Sequence, residues 1–493
     1  MLKLLRRFCT KSCESIRFKM TRSSILFVLV CQTFSLVESK TSFVKDQSLN
    51  AVFPPVNIKS VQGIPDGHLR PLGWQKKPDG KVREEKDMPS AHTFYLRYVK
   101  TSRTVVLRNA VQNAKVLNEW EEDANLTNNY GELNMTIDVK KQIKFTISSD
   151  KRKMQFKKFL LDYMYENWYL TNTVPHEMMA DFPLPSILSC GTFKDRLVEA
   201  ELWMSSGGTN SLLHSHDDHN VHCALFGRKD FILIESKHKD VFDFRETYPN
   251  SGAGYSPLDM EMINVFKYPK VSKTPWTWAT LMQGDCIFVP AGYLHHVRSY
   301  GRSVSFTVHF APSIEFDSSD CSNAHVEDDK KKRKKRDPKK EKEEKGEKTS
   351  KPVLSLADVK FVWTYTNGSR HLSDTEMDPT SLRRNLLLLL KADDNLYIQK
   401  FEHFFTEALG ERPKEENPLN ITQLFQIQYA RLLSDHLDRD HTEPSGKEVF
   451  LMLTPSKDRD YLSRNDIEKM SMSRLLQVAK IFNKIHTHDH DEL

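Results

Sequence analysis

The stretch Gly208 Thr209 Asn210 Ser211 Leu212 Leu213 His214 Ser215 His216, extended by Asn220, Gly227 and Lys229, decides the fold. Its counterpart lies far downstream: Gly284 Asp285 Cys286 Ile287 Phe288 Val289 Pro290 Ala291 Gly292 Tyr293 Leu294 His295 His296. Two histidines one residue apart on an extended strand point to the same side, because side chains alternate with period 2. Both can then reach one ion, and a third histidine about eighty residues on can close the site from a neighbouring strand. Imidazole serves iron, zinc, copper and nickel alike, so the spacing admits a transition metal without choosing which.

These positions resemble the JmjC family, in particular its small cupin-like protein hydroxylases. The family pattern runs Gly-Thr-x-Ser/Thr-x-x-His-x-Asp, then an Asn six residues after the first His and a Gly-x-Lys ending fifteen after it. Here Asn220 follows His214 at six and Lys229 at fifteen, with Gly227 in place. The family's distal ligand ends a Gly-Asp-hydrophobic-Pro run, which makes His295 the third ligand and His296 its neighbour. The resemblance covers roughly residues 90–313. It implies an α+β architecture: a double-stranded β-helix (jelly-roll) with flanking helices, holding Fe(II) on His214, His216 and His295. It also implies 2-oxoglutarate as co-substrate, its distal carboxylate paired with Lys229 and hydrogen-bonded by Ser211 and Asn220. A carboxylate inside a narrow barrel needs such a cation, since an unpaired buried charge is expensive.

The chain departs from the family at one position. Where the family has its Asp ligand, this chain has His216. Sliding the register to His216-Asp217-Asp218 restores a literal His-x-Asp but shortens the distances to Asn220 and Lys229 by two residues each, so the first register is preferred. A neutral imidazole in place of a carboxylate raises the net charge of a metal site by one and alters how an anionic co-substrate is held. Asp217 or Asp218 could instead enter as a ligand through a local bulge, because consecutive strand side chains face opposite ways. His309, where the family often has Asn, reads as a strand histidine with one satisfied nitrogen. His219 and His222 read as residues near the mouth with no metal role.

The two ends bear on compartment. Residues 1–39 hold seven basic side chains and then an apolar run from Ile25 to Val37, the layout of a secretory signal cleaved after Ser39. That run is short for a membrane span, which needs about 20 residues, and an uncleaved anchor is the alternative. His490 Asp491 Glu492 Leu493 reads as a signal for retrieval to the endoplasmic reticulum by its receptor. Sequons at Asn125, Asn134, Asn367 and Asn420 agree with a lumenal glycoprotein. Beyond residue 39 four cysteines remain, Cys190, Cys223, Cys286 and Cys321, enough for up to two disulfides; Cys223 and Cys286, in apolar strand contexts, also fit buried thiols.

The net charge of +6 misleads. Residues 1–39 contribute +5 and residues 330–348 contribute +7, so the rest of the chain carries −6. A nucleic-acid partner is therefore not expected, and the basic run at 330–336 reads as part of a solvated charged linker rather than a nuclear signal. Residues 40–90 look like a loosely ordered lead-in with Pro54, Pro55, Pro65, Pro71 and Pro78. Residues 154–169 look like an amphipathic helix on which Tyr163, Tyr165 and Tyr169 could approach the co-substrate, though core or surface aromatics is the preferred reading. Apolar spacing predicts helices over 381–409, 421–437 and 466–485, and residues 457–466 resemble a worn calcium-binding EF-hand loop lacking its turn Gly and bidentate Glu.

The expected organisation is a signal (1–39), a lead-in (40–90), a JmjC/cupin-like domain (91–313), a charged linker (314–351), a helical domain (352–489) and the retrieval signal (490–493). Two functions remain open. One is an Fe(II)- and 2-oxoglutarate-dependent oxygenase hydroxylating a side chain of a protein in the lumen. The other is a catalytically inactive barrel used as a binding module or scaffold, which His216 favours and Lys229 and Asn220 oppose. A three-histidine oxygenase using no 2-oxoglutarate is a third variant, against which Lys229 also counts.

Overall fold

The computed structural model describes residues 51–56, 59–143, 146–166, 168–248, 250–321, 354–374, 376–408, 444–456 and 458–488. The signal-like segment, the basic run at 330–336, the helix expected at 421–437 and residues 490–493 lie outside them.

Five strands frame the barrel: β1 (Leu197–Ser205), β2 (His214–Ser215), β3 (His219–Ile234), β4 (Cys286–Val289) and β5 (Leu294–Phe310). The long β3 and β5 run antiparallel, from His219 opposite Phe310 to Ile234 opposite Leu294. Strands this long must bend to close a sheet. The bend falls at a register shift between Ala224 and Arg228, around Gly227 with φ +74°, where a Cβ would lie 2.7 Å from the carbonyl oxygens of Tyr300 and Arg302. Only glycine fits that approach. Beyond the bend β3 changes partner: Asn220–Cys223 pairs with β4, whereas residues 229–233 pair with Thr277–Leu281. The strand β5 does the same, with β1 on its second half and β2 on its first. Each long strand thus belongs to both walls of a jelly-roll. Its side chains are buried almost throughout, as expected of strands covered on both faces.

Several sequence expectations are corrected here. The helix expected over 154–169 is only Phe156–Asp162; Met154 belongs to a hairpin strand and Trp168–Thr173 is a strand paired with β1. Its aromatic residues and threonines suit a pleated, half-buried surface better than a helix. The lead-in is packed: Leu72, Gln75 and Val82 are buried, and Gly80–Lys81 pairs with Thr277 and Trp278. The order of the barrel runs past residue 313, because a disulfide joins Cys190 to Cys321. Cys223 and Cys286, opposite each other on β3 and β4, are also disulfide-bonded rather than free thiols.

The segment expected as one helix over 381–409 is two, α1 (Pro379–Leu390) and α2 (Ile398–Ala408). Asp378 caps α1 by accepting from the Thr380 and Ser381 N–H groups, and Pro379 occupies its first turn. Between the helices, Asn395–Tyr397 forms a strand antiparallel to Tyr461–Ser463, so two helix-loop-helix units meet through their loops. In the second loop Arg459 lies 3.1 Å from Asp466, placing an arginine against the acidic side chain. The last helical stretch is likewise broken, into Arg464–Glu468 and Met472–His488. Leu382, Leu386, Phe401, Phe450, Leu475 and Phe482 form the core of this C-terminal unit. No helix among the described residues is long and apolar enough to cross a membrane.

The C-terminal unit is fastened to β1. Arg370 makes a two-pronged ion pair with Glu199 (2.7 and 2.8 Å) and stacks 3.9 Å above the Trp363 ring, and the Val362 N–H donates to the Val198 carbonyl (3.0 Å).

Candidate metal centre and co-substrate pocket

Strand pairing places the histidines. His214 on β2 is the direct cross-strand partner of His295 on β5. His216 follows on the same side as His214, and each of His214, His216 and His295 offers a nitrogen within 4.8 Å of the others. His214 Nδ1 lies 2.8 Å from the Leu212 carbonyl and His295 Nδ1 lies 3.0 Å from that of Tyr293. A carbonyl can only accept, so both Nδ1 atoms carry the proton and both Nε2 atoms keep a lone pair for a ligand. The turn before β5 is fixed against this segment. The Gly292 N–H donates to the His216 carbonyl (2.7 Å) and the Ala291 N–H to His219 Nδ1 (3.0 Å). Burial, then repulsion from neighbouring imidazoles and other cations, holds His216 and His295 well below their ordinary pKa, and burial lowers His214. The cluster is therefore uncharged, the state in which imidazole binds metal.

Beside the cluster lies a cavity lined by Ser211, Asn220, His222, Lys229, Tyr169 and Thr307, among others. Lys229 is 1% exposed. Its Nζ reaches only hydroxyls, Ser299 Oγ at 3.1 Å and Tyr169 OH at 3.5 Å, and no carboxylate pairs with it among the described residues. Burial alone pushes its ammonium down to about 7. Ser211 Oγ accepts from the Val297 N–H (2.9 Å), which leaves its own proton to donate. Asn220 is buried on β3, opposite Val289 and His309. The six residues expected from sequence thus line one cavity.

Other site residues were not legible. Tyr169, expected on a helix and read there as a core or surface aromatic before a co-substrate neighbour, reaches Lys229 from a strand instead. Asp217 and Asp218 do not join the histidines: Lys391 of the C-terminal unit lies 2.7 Å from Asp217 and 2.8 Å from Asp218, and the Tyr248 hydroxyl donates to Asp217 (2.9 Å). His222 lines the cavity, with Nδ1 2.8 Å from Thr307 Oγ1. His309 is ion-paired with Glu201 (2.8 Å); burial opposes its charged form, but Glu201, aided by Asp218 and Glu199, raises its pKa. A second cavity, ≈ 250 Å³, opens between barrel and C-terminal unit. Glu201, His216 and His309 line both cavities and so stand at their junction.

The family model described as "Cupin-like domain" matches residues 91–316. Those residues form a cupin-like domain of the JmjC kind. Relatives of the JmjC domain include Jumonji C domain-containing protein 5 of Drosophila melanogaster, 25% identical over 244 residues, covering 45% of this chain and 58% of the relative. Lysine-specific demethylase 8 of Danio rerio is 28% identical over 144 residues (29% of this chain, 34% of the relative). Lysine-specific demethylase JMJ30 of Arabidopsis thaliana is 26% identical over 147 residues (29% and 33%). The chain spans less than two thirds of the length of each of these curated relatives. JmjC domains generally use Fe(II) and 2-oxoglutarate.

Proposed function

We propose that the JmjC domain is an Fe(II)- and 2-oxoglutarate-dependent oxygenase that hydroxylates a side chain of a protein in the lumen of the endoplasmic reticulum. The observation that carries this reading is Lys229, a buried ammonium whose hydrogen-bond partners among the described residues are hydroxyls, beside three convergent neutral histidines. Such a charge is costly unless an anion completes the pocket. The donor set fits the group: three imidazole nitrogens suit a first-row transition metal. With no ligand carboxylate to neutralise it, a divalent ion keeps its full charge and, together with Lys229, attracts a dicarboxylate.

His214, His216 and His295 would hold the metal, which with 2-oxoglutarate supplies the oxidising power drawn from O2. Lys229 binds the far carboxylate, and Ser211 and Asn220 orient it. The carbonyls of Leu212 and Tyr293 keep two imidazoles in the ligating tautomer. Buried barrel walls exclude water from the reacting centre. The cavity shared with the C-terminal unit, entered past Glu201, His216 and His309, receives the substrate side chain.

A lumenal setting is supported by the pairing of all four cysteines beyond residue 39 into two disulfides, which suits an oxidising compartment. Asn125, Asn134 and Asn367, three of the four sequon asparagines, are exposed. Sensitivity of the expressed full chain to endoglycosidase H tests the compartment.

His216 in the carboxylate position favours a second reading, a JmjC domain kept as a binding module. One titration separates the two. The full chain is loaded with Fe(II) without oxygen and 2-oxoglutarate is added. A saturable metal-dependent absorption band, lost in Lys229→Ala, supports the oxygenase. No band in the wild type, but one restored by His216→Asp, leaves the binding module.

A further inference from the structure

Lys391 sits just past the C-terminus of α1, with φ +57° and ψ −126°, a backbone conformation rare for any residue with a Cβ. Such conformations persist only where the surroundings over-determine them. Here every handle is held. The Lys391 N–H donates to the Leu388 carbonyl (3.1 Å), its carbonyl accepts from Arg464 Nη2 (3.2 Å), and its Nζ lies 2.7 and 2.8 Å from Asp217 and Asp218. The residue is 8% exposed. Its carboxylate partners directly follow His216, so a side chain of the C-terminal unit is tied to the loop that leaves the metal centre.

We infer that Lys391 is a positioning residue through which the C-terminal unit sets divalent-metal affinity, by holding Asp217 and Asp218 away from the three histidines. The inference rests on the metal centre proposed above. Asp217 and Asp218 directly follow His216 and line the wider cavity with it, and a carboxylate that close attracts a dication. Lys391 takes both, through ion pairs that no neutral residue replaces. With the clasp closed, the metal faces three neutral imidazoles. With it absent, two negative charges adjoin His216, and either of them turning toward the ion completes a two-kind donor set. The direction is the same whether the carboxylates ligate the ion or act through space. Loss of Lys391 tightens metal binding; loss of the carboxylates with Lys391 retained weakens it. Metal affinity and the seating of the C-terminal unit are then linked, because each ion bound competes for the charges that anchor Lys391.

The test uses the metal-free full chain titrated with Co(II), read by calorimetry and by visible absorption. Lys391→Met is expected to bind Co(II) about fivefold tighter or more, the effect of one unit charge nearby at high effective dielectric. Lys391→Arg should behave as wild type, and Asp217→Asn with Asp218→Asn should bind more weakly than wild type. The paired-Asn variant also serves if Lys391→Met fails to fold. Folded Lys391→Met with unchanged or weaker affinity overturns the inference while leaving the metal centre intact, as does the paired-Asn variant with undiminished affinity. If neither wild type nor any variant binds Co(II), the metal-centre reading falls, and this one with it.

Discussion

His214 and His295 face each other across β2 and β5 as a single register pair, their ring centroids 4.1 Å apart. About eighty residues of chain separate them, yet one antiparallel step brings them together. His216 stacks beside His295 at 5.5 Å and lies 4.9 Å from His309, so the cluster sits between the narrow cavity of Lys229 and the wider one under the C-terminal unit.

Because both Nε2 atoms of that pair are left for a ligand, His214→Ala should abolish metal binding without unfolding the barrel. Added Zn(II) or Co(II) should raise the melting temperature of the wild type and leave that of the variant unchanged. Differential scanning fluorimetry with and without chelator reads both.

Lys229→Met should abolish 2-oxoglutarate binding and at the same time stabilise the ligand-free protein by roughly 1–3 kcal/mol at pH 7, since an uncompensated buried cation is removed. The pH dependence follows from the depressed pKa. The folded Lys229 releases its proton near 7 and the unfolded one near 10.5, so between those values the unfolded state binds more protons. Wild-type stability relative to Lys229→Met should therefore rise with pH across that window, by about 1.4 kcal/mol per pH unit and on the order of 5 kcal/mol in all. Urea unfolding of both proteins at pH 7, 8 and 9 measures the difference.

Arg370→Ala strands Glu199, a buried carboxylate otherwise held by Arg370 and Thr173. Breaking one side of a buried ion pair costs about 3–5 kcal/mol. The loss should fall well short of additive in the double variant with Glu199→Gln, which removes the stranded charge. Guanidinium melts of the two single variants and the double variant complete the cycle.

Cys190 and Cys321 close a loop spanning 131 residues, and Cys223 and Cys286 one spanning 63. Reduction should lower stability by about 2–4 kcal/mol for the outer bond, chiefly by freeing the unfolded chain. Paired Cys190→Ser and Cys321→Ser should reproduce most of that loss and leave Co(II) affinity unchanged, because neither residue lines the metal cavity. Thermal melts with and without reductant, beside Co(II) titrations, check both halves.

The histidine cluster was legible because its spacings are short. Period-2 alternation puts His214 and His216 on one side, and the Gly284-to-His295 run marks where a second strand returns. The lysine and asparagine could be placed through the family resemblance, because their spacings of fifteen and six residues from His214 match its pattern. Helix and strand near Tyr169 were not separable in the same way. The spacing of aromatic residues over 154–169 satisfies either period, and only pairing of Trp168–Thr173 with β1 resolves it.

What the sequence by itself determined is therefore the jelly-roll, the three clustered histidines and the residues lining the cavity beside them, the first two histidines through strand periodicity and the rest through the resemblance to the JmjC pattern. Only the tertiary structure decided which charges meet. Asp217 and Asp218 find Lys391 at 2.7 and 2.8 Å, Glu201 finds His309 at 2.8 Å, and Lys229 finds hydroxyls rather than a carboxylate. Those outcomes depend on how two separately cored parts of the chain pack, and a charge carries no mark in sequence of the partner that packing will bring to it.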